Sequence, residues 1–289
     1  MAPDTPGRSA ARGPSLKPRE HGAYAMAAFP VLSGFLLGGV EPATVGLALA
    51  VIGSFAAHEP LAVLLGVRGA RLKDRLGPAA RRVLGVWSGV VAVGVGLFLL
   101  GTPPDEWVTL LLPAALGAGV AVTVLRGRAR TLAGELLVAA AFASIHVPMA
   151  AVGAGLAGDG AWWRHATVWA PALVWLCVFS LSALAVHRTI SRFKGLPAGW
   201  AVRRVSWIAA LLAGLGGWAG AGAGGWGPAG AGSPPPLLGA VAPAALILLV
   251  LTLVPVHPRN LRRVGWTMVV ADTLTLVMLG VLAMGGGQG

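Results

Sequence analysis

Ten Asp and Glu and six His are the acid–base side chains available in 289 residues, and few of them fall inside apolar runs. Glu20 and His21 open the first such run, and His58 and Glu59 lie near the end of the second. Glu135 opens the fifth, with His146 deeper in the same run. His187 closes the sixth, and Asp272 lies about two turns into the last. An ionisable group in an apolar segment is costly to keep, so each is a candidate for proton transfer or ligand binding. Two basic clusters stand beside them, Arg68, Arg71, Lys73 and Arg75 after the second run and Arg188, Arg192 and Lys194 after the sixth. Arginines in such clusters suit bidentate contact with a phosphate-like anion.

The elements that must position these groups follow from composition. The chain is 56% hydrophobic and only 11% charged, too apolar for a soluble surface. Apolar segments of about 18 or more residues recur, each long enough to cross a bilayer core. Only helices or closed barrels satisfy the backbone there, and the long unbroken runs exclude a barrel. The expectation is an all-α, polytopic transmembrane helical bundle of about nine helices. The spans fall near 22–38, 43–65, 80–101, 107–125, 131–157, 166–188, 201–222, 237–256 and 264–286. Pro148 is expected to kink the fifth. Residues 1–19 read as a disordered basic cytoplasmic tail without a cleavage signal, and 20–289 as a single transmembrane domain.

Charge distribution sets the orientation. With nine spans, 21 of the 22 Lys and Arg fall on one side and only Arg164 on the other. That places the N-terminus in the cytoplasm and the C-terminus outside, in a plasma membrane. The net charge of +12 is therefore topological, and nucleic acid is not an expected partner, because no soluble domain presents a groove reader. The single cysteine, Cys177, supports neither a disulfide framework nor a cysteine-based metal site. No HExxH, P-loop or Gly-x-Ser-x-Gly motif occurs, so no metal is expected, and the cofactor is left open.

In this layout all the ionisable groups except His146 lie in the cytoplasmic half, at a common level on five helices. Glu135, Ala139, Phe142 and His146 are spaced to share one helical face, and Arg68, Arg71 and Arg75 form one basic stripe if their segment is helical. The pairs Gly34/Gly38 and Gly85/Gly89 are expected to let helices pack closely. The residues 102–106 read as a turn, and the uncharged Gly/Ala/Pro-rich stretch 219–236 as an external linker. Structural roles stand beside the functional ones: Glu59 paired with His58 or an arginine, Asp272 neutralising Arg263 or another basic residue, and His146 as a packing residue.

The junction Pro18-Arg19-Glu20-His21-Gly22-Ala23-Tyr24, followed by Pro30 and Gly34, resembles the opening signature of the YwiC-like family of bacterial membrane proteins. His58-Glu59-Pro60-Leu61 and the basic residues after it are similar to the family's second block, with His and Glu where an Arg-Gln pair is usual. Arg130 to Glu135 and His187 to Gly195 fall where the family has similar blocks. The resemblance implies a bacterial inner-membrane protein and no particular activity. A further resemblance, of span count and of polar blocks after spans two and six, is to the UbiA prenyltransferases, implying a UbiA-like arrangement. Those enzymes hold a prenyl diphosphate through magnesium on Asp-rich motifs, where this chain has arginines and lysines instead.

Three functions stay open. The first is a cytoplasm-facing pocket for an anionic lipid or isoprenoid phosphate, a degenerate transferase included. Glu20, His21, Arg68, Arg71, Arg75, His187, Arg188 and Arg192 would bind the ligand, and His58, Glu59, Glu135 or Asp272 would do acid–base work. The second is a proton-coupled transporter with Glu135, His146 and Asp272 as relay groups, to which the uncharged outer half offers no exit. The third is a non-catalytic assembly partner. Membrane lipids are partners in all three.

Overall fold

The computed structural model describes residues 16, 21–128, 131–153, 166–193, 237–253 and 261–285. The described chain is all helical. α1 (His21–Gly38), α2 (Pro42–Leu64) and α3 (Ala70–Gly101) are followed by a 3-10 helix (Pro104–Leu110) that leads into α4 (Leu111–Leu125). Then come α5 (Leu132–Ser144), α6 (His146–Gly153), α7 (Ala166–Phe193), α8 (Leu237–Leu253) and α9 (Leu261–Gly285). With α5 and α6 taken as one rod and the 3-10 helix as the start of α4, six helices are long and apolar enough to cross a membrane, and α1 and α8 are shorter apolar helices. Eight of the nine expected spans thus have a helix; the ninth, 201–222, lies outside the described residues, as do the tail and the 219–236 stretch.

One element differs from expectation. α3 starts at Ala70, ten residues ahead of its apolar run, because Arg71, Leu72, Lys73, Arg75 and Leu76 are good helix formers. Its first turns are therefore an amphipathic, basic extension of a membrane helix. The fifth span runs as one rod whose helical bonding lapses at a single residue, Ile145, which keeps the right-handed helical conformation (φ −61°, ψ −30°). This is the irregularity expected of Pro148, which has no N–H to return to the Ser144 carbonyl and whose ring crowds that carbonyl.

α1 packs on α6 and α9, α5 on α7, α7 on α8 and α8 on α9, closing a ring of helices. Its core gathers Phe29, Trp175, Phe179, Leu184, Ala244, Met268 and Ala271. α2 and α3 form a tight hairpin joined to the ring through α1 and α6, and α4 lies outside against α5. α4 buries none of its residues, and α3 exposes Val86, Val93 and Leu100. Such apolar faces suit acyl chains.

The two glycine pairs have different fates. Gly34 faces Met149, and Gly38 faces the Met149 carbonyl and Gly153, so α1 and α6 cross in close contact. Gly85 and Gly89 have nothing within 4 Å, so that pair packs against no described helix.

Candidate functional site

The residues around Glu59 are arranged by a turn. α2 ends at Gly66 in the left-handed region (φ 75°), with Val67 N–H donating to Ala62 O and Gly66 N–H to Val63 O, both at 3.0 Å. This Schellman closure satisfies the last carbonyls and turns the chain back on itself. Arg68 Nη2 thereby reaches Glu59 Oε2 at 2.6 Å. Glu59 is buried, while its neighbour His58, about 100° round the helix, is exposed. The partner of Glu59 is therefore an arginine and not His58. The expected stripe is also corrected: Gly69 (φ 99°) separates Arg68 from α3, leaving only Arg71 and Arg75 stacked one turn apart. Both are exposed and form no ion pair among the described residues.

Two helices meet through charge at the same end of the bundle. Glu135 sits in the first turn of α5, which Thr131 caps by accepting the Gly134 N–H at 3.1 Å. Its Oε2 lies 3.0 Å from Nε2 of His187 on α7. The contact is close but not aligned, so the buried Nε2 has no hydrogen-bond partner among the described residues. Glu20 lies outside the described residues, and of His21, Arg188 and Arg192 only the helical backbone is described.

His146 lies eleven residues beyond Glu135, at the start of α6, where Nδ1 is 3.1 Å from Ser33 Oγ on α1. Ser33 Oγ accepts Nε1–H of Trp175 on α7 at 2.8 Å and donates to its own Pro30 carbonyl at 3.0 Å. Ser33, His146 and Trp175 are each 0% exposed. His146 Nε2, on the other side of the ring, has no partner among the described residues.

Asp272 is 3% exposed, on the α9 face that also buries Met268, Ala271, Thr275 and Leu279. One turn to one side, Met268 Sδ lies 3.3 Å from Ser182 Oγ of α7, whose hydrogen goes to Val178 O at 3.0 Å; about one turn to the other, Thr275 donates to Ala240 O of α8 at 2.9 Å. Asp272 Oδ1 has no hydrogen-bond partner, and Arg263 is exposed and forms no ion pair with it among the described residues. Among the described residues, then, Arg263 is not the partner of Asp272.

Glu106 was not singled out by its sequence, where Pro103, Pro104 and Asp105 mark a turn. It is 1% exposed, and neither carboxylate oxygen has a partner among the described residues. Its 3-10 helix packs on α6, with Leu110 beside the cluster of Ile145, Met149 and Val152.

α7 gives the order of these groups along the bundle. His187 is level with Glu135, Ser182 with Met268, and Trp175 with Ser33 and His146. Asp272 lies one turn beyond Met268, between the first level and the last. Glu106 lies at the opposite end from Glu135, where Gly101 of α3 meets Ala43 at the start of α2. The buried side-chain atoms without a partner among the described residues belong to Glu106, His146, His187 and Asp272 alone, so all are ionisable and they run from one end of the bundle to the other. Among the described residues no three His, Cys, Asp or Glu gather closely enough to hold a metal ion.

Residues 18–151 match the YwiC-like protein family. The match takes in α1 to α5 and most of α6, so the YwiC-like segment supplies Ser33, Glu59, Arg68, Glu106, Glu135 and His146. Trp175, His187 and Asp272, which face those residues or lie at their levels, come from beyond the YwiC-like segment. Neither a curated protein nor a solved structure matches the chain, so the UbiA resemblance finds no support.

Proposed function

We propose that this multi-pass, YwiC-like membrane protein is a proton-linked carrier of a bacterial inner membrane. One observation carries the proposal: among the described residues, the buried side-chain atoms without a hydrogen-bond partner belong to Glu106, His146, His187 and Asp272, all ionisable and placed at successive levels along the bundle. Ionisable groups within a membrane are rare and mark ion or proton pathways. Glu106 also supplies what the sequence lacked, an acid at the end opposite Glu135. With the basic loops on the cytoplasmic side, the Glu135–His187 contact is the cytoplasmic mouth and Glu106 the outer one. The test is proton uptake by proteoliposomes under an imposed pH gradient, with Glu135→Gln slowing it and wild-type uptake no faster than that of empty vesicles refuting it.

A second reading has its own observation. Arg71 and Arg75 stand exposed, with no ion pair among the described residues, on the amphipathic start of α3, where a phosphate-bearing lipid or isoprenoid head group would meet them at the membrane surface. It makes the basic end a docking surface, and it is compatible with such a molecule being the carrier's cargo. A transferase reaction draws no comparable support from these residues.

A further inference from the structure

The hydrogen count at Ser33 decides the state of His146. Ser33 Oγ has one hydrogen, the Pro30 carbonyl can only accept, and the Trp175 indole can only donate. All three contacts are satisfied together when Ser33 donates to Pro30 O and accepts from both Trp175 Nε1–H and His146 Nδ1–H. Neutral His146 then carries its hydrogen on Nδ1. Its Nε2 is left as a bare lone pair, fully buried and without a donor among the described residues.

The helical bonding beside it lapses at one residue. Pro148 leaves the Ser144 carbonyl without its helical N–H, while Ile145 keeps the helical conformation. A carbonyl freed by proline in a membrane interior is tolerated where neighbouring helices, side chains or ordered water satisfy it.

We propose that His146 Nε2, at the proline kink between α5 and α6, is the proton-binding site of the bundle, with Ser33 and Trp175 as positioning residues. The step is a simple transfer: Nε2 takes a proton from hydronium arriving along the bundle, the imidazole becomes imidazolium, and the Nδ1–H bond to Ser33 is kept throughout. Release of the same Nε2 proton toward the other mouth completes the transfer. Of the elements packed on α6, α1 presents Ser33 to the ring and α7 presents Trp175. Cys177 lies two residues further along α7, and the 3-10 helix carries Asp105 and Glu106. Glu135 is eleven residues back along the α5 rod, and Glu59 and His58 are at the far end of α2. No carboxylate contacts His146 among the described residues, so the proton on Nε2 is not fixed by an ion pair.

This site deepens the carrier proposal and rests on it. The test is nitrogen NMR of the full chain labelled at histidine, in lipid nanodiscs, with His146→Asn identifying the signal. Asparagine retains an N–H for Ser33 and removes Nε2. The expected spectrum has His146 as the Nδ1–H tautomer at high pH, gaining a second proton on Nε2 as the pH is lowered. An Nε2–H tautomer, or a single form throughout, overturns the site. Should His146→Asn fail to fold, Ser33→Ala serves instead: it removes the Nδ1–H acceptor, so one histidine must change tautomer balance, and an unchanged set of histidine signals overturns the proposal. A His146 that titrates in a protein without proton flux overturns the carrier and leaves the site as a proton-binding group. Flux with His146 fixed in one form overturns the site and leaves the carrier.

Discussion

Ser33 Oγ and His146 Nδ1 lie 3.1 Å apart, joining α1 to the first residue of α6 in a fully buried contact. Ser33 is also the acceptor for Trp175 Nε1–H, so one hydroxyl holds three helices in register. Ser33→Ala leaves both N–H groups without an acceptor in a dry interior, at about 1–3 kcal/mol for each. The expected outcome is a large drop in thermal stability in detergent. Ser33→Thr, which keeps the hydroxyl, is expected to lose much less.

Glu59 and Arg68 form an ion pair with unequal exposure, Arg68 being 36% exposed and Glu59 only 8% at the side chain. Arg68→Gln leaves a buried carboxylate unpaired and is expected to destabilise more than Glu59→Gln does. In a double-mutant cycle the coupling should be about 1 kcal/mol, since the arginine is well solvated. Additive single effects would remove Arg68 as the partner that matters to Glu59.

The glycine pairs separate cleanly. A Cβ on Gly38 would sit 2.7 Å from the Met149 carbonyl oxygen, whereas one on Gly89 would meet nothing. Gly38→Ala is expected to cost about 1–3 kcal/mol by overpacking. Gly85→Ala and Gly89→Ala should be neutral or mildly stabilising, through the better helix propensity of alanine. Thermal unfolding of the three variants side by side checks this.

Much of this was legible in advance. α1, α2, α4 and α7 begin or end within a few residues of their apolar runs, because hydropathy and the bilayer act on the same residues. The irregularity at Ile145 was legible as Pro148, its place just under one turn back following from which carbonyl the proline crowds. Ser33 and Trp175 left no mark, since one hydroxyl and one indole in an apolar run are equally consistent with packing. Glu106 was hidden by its own neighbours: Pro-Pro-Asp-Glu reads as a solvated turn, and its burial comes from tertiary packing on α6. The arginine stripe failed at Arg68 because Gly69 interrupts the helix that the spacing assumed.

The exposed arginines of α3 are the place to look for an anionic lipid. Each basic residue near an anionic surface contributes about 1 kcal/mol, close to fivefold in affinity. Arg71→Gln and Arg75→Gln should each lower the acidic phospholipid or isoprenoid phosphate that co-purifies, by mass spectrometry, and the double variant should lower it further. Arg68→Gln should change it least, because that guanidinium is already engaged by Glu59.

Proton passage between the two mouths is best measured in proteoliposomes held at a potassium diffusion potential, with a pH dye inside. Wild-type protein should carry protons faster than protein-free vesicles. Glu106→Gln and Glu135→Gln, at opposite ends of the bundle, should each slow it on the order of a hundredfold, the usual worth of a positioned proton-transfer group. Equal rates in wild-type and protein-free vesicles, or full flux in both variants, would contradict a proton line running through Glu135, Asp272, His146 and Glu106.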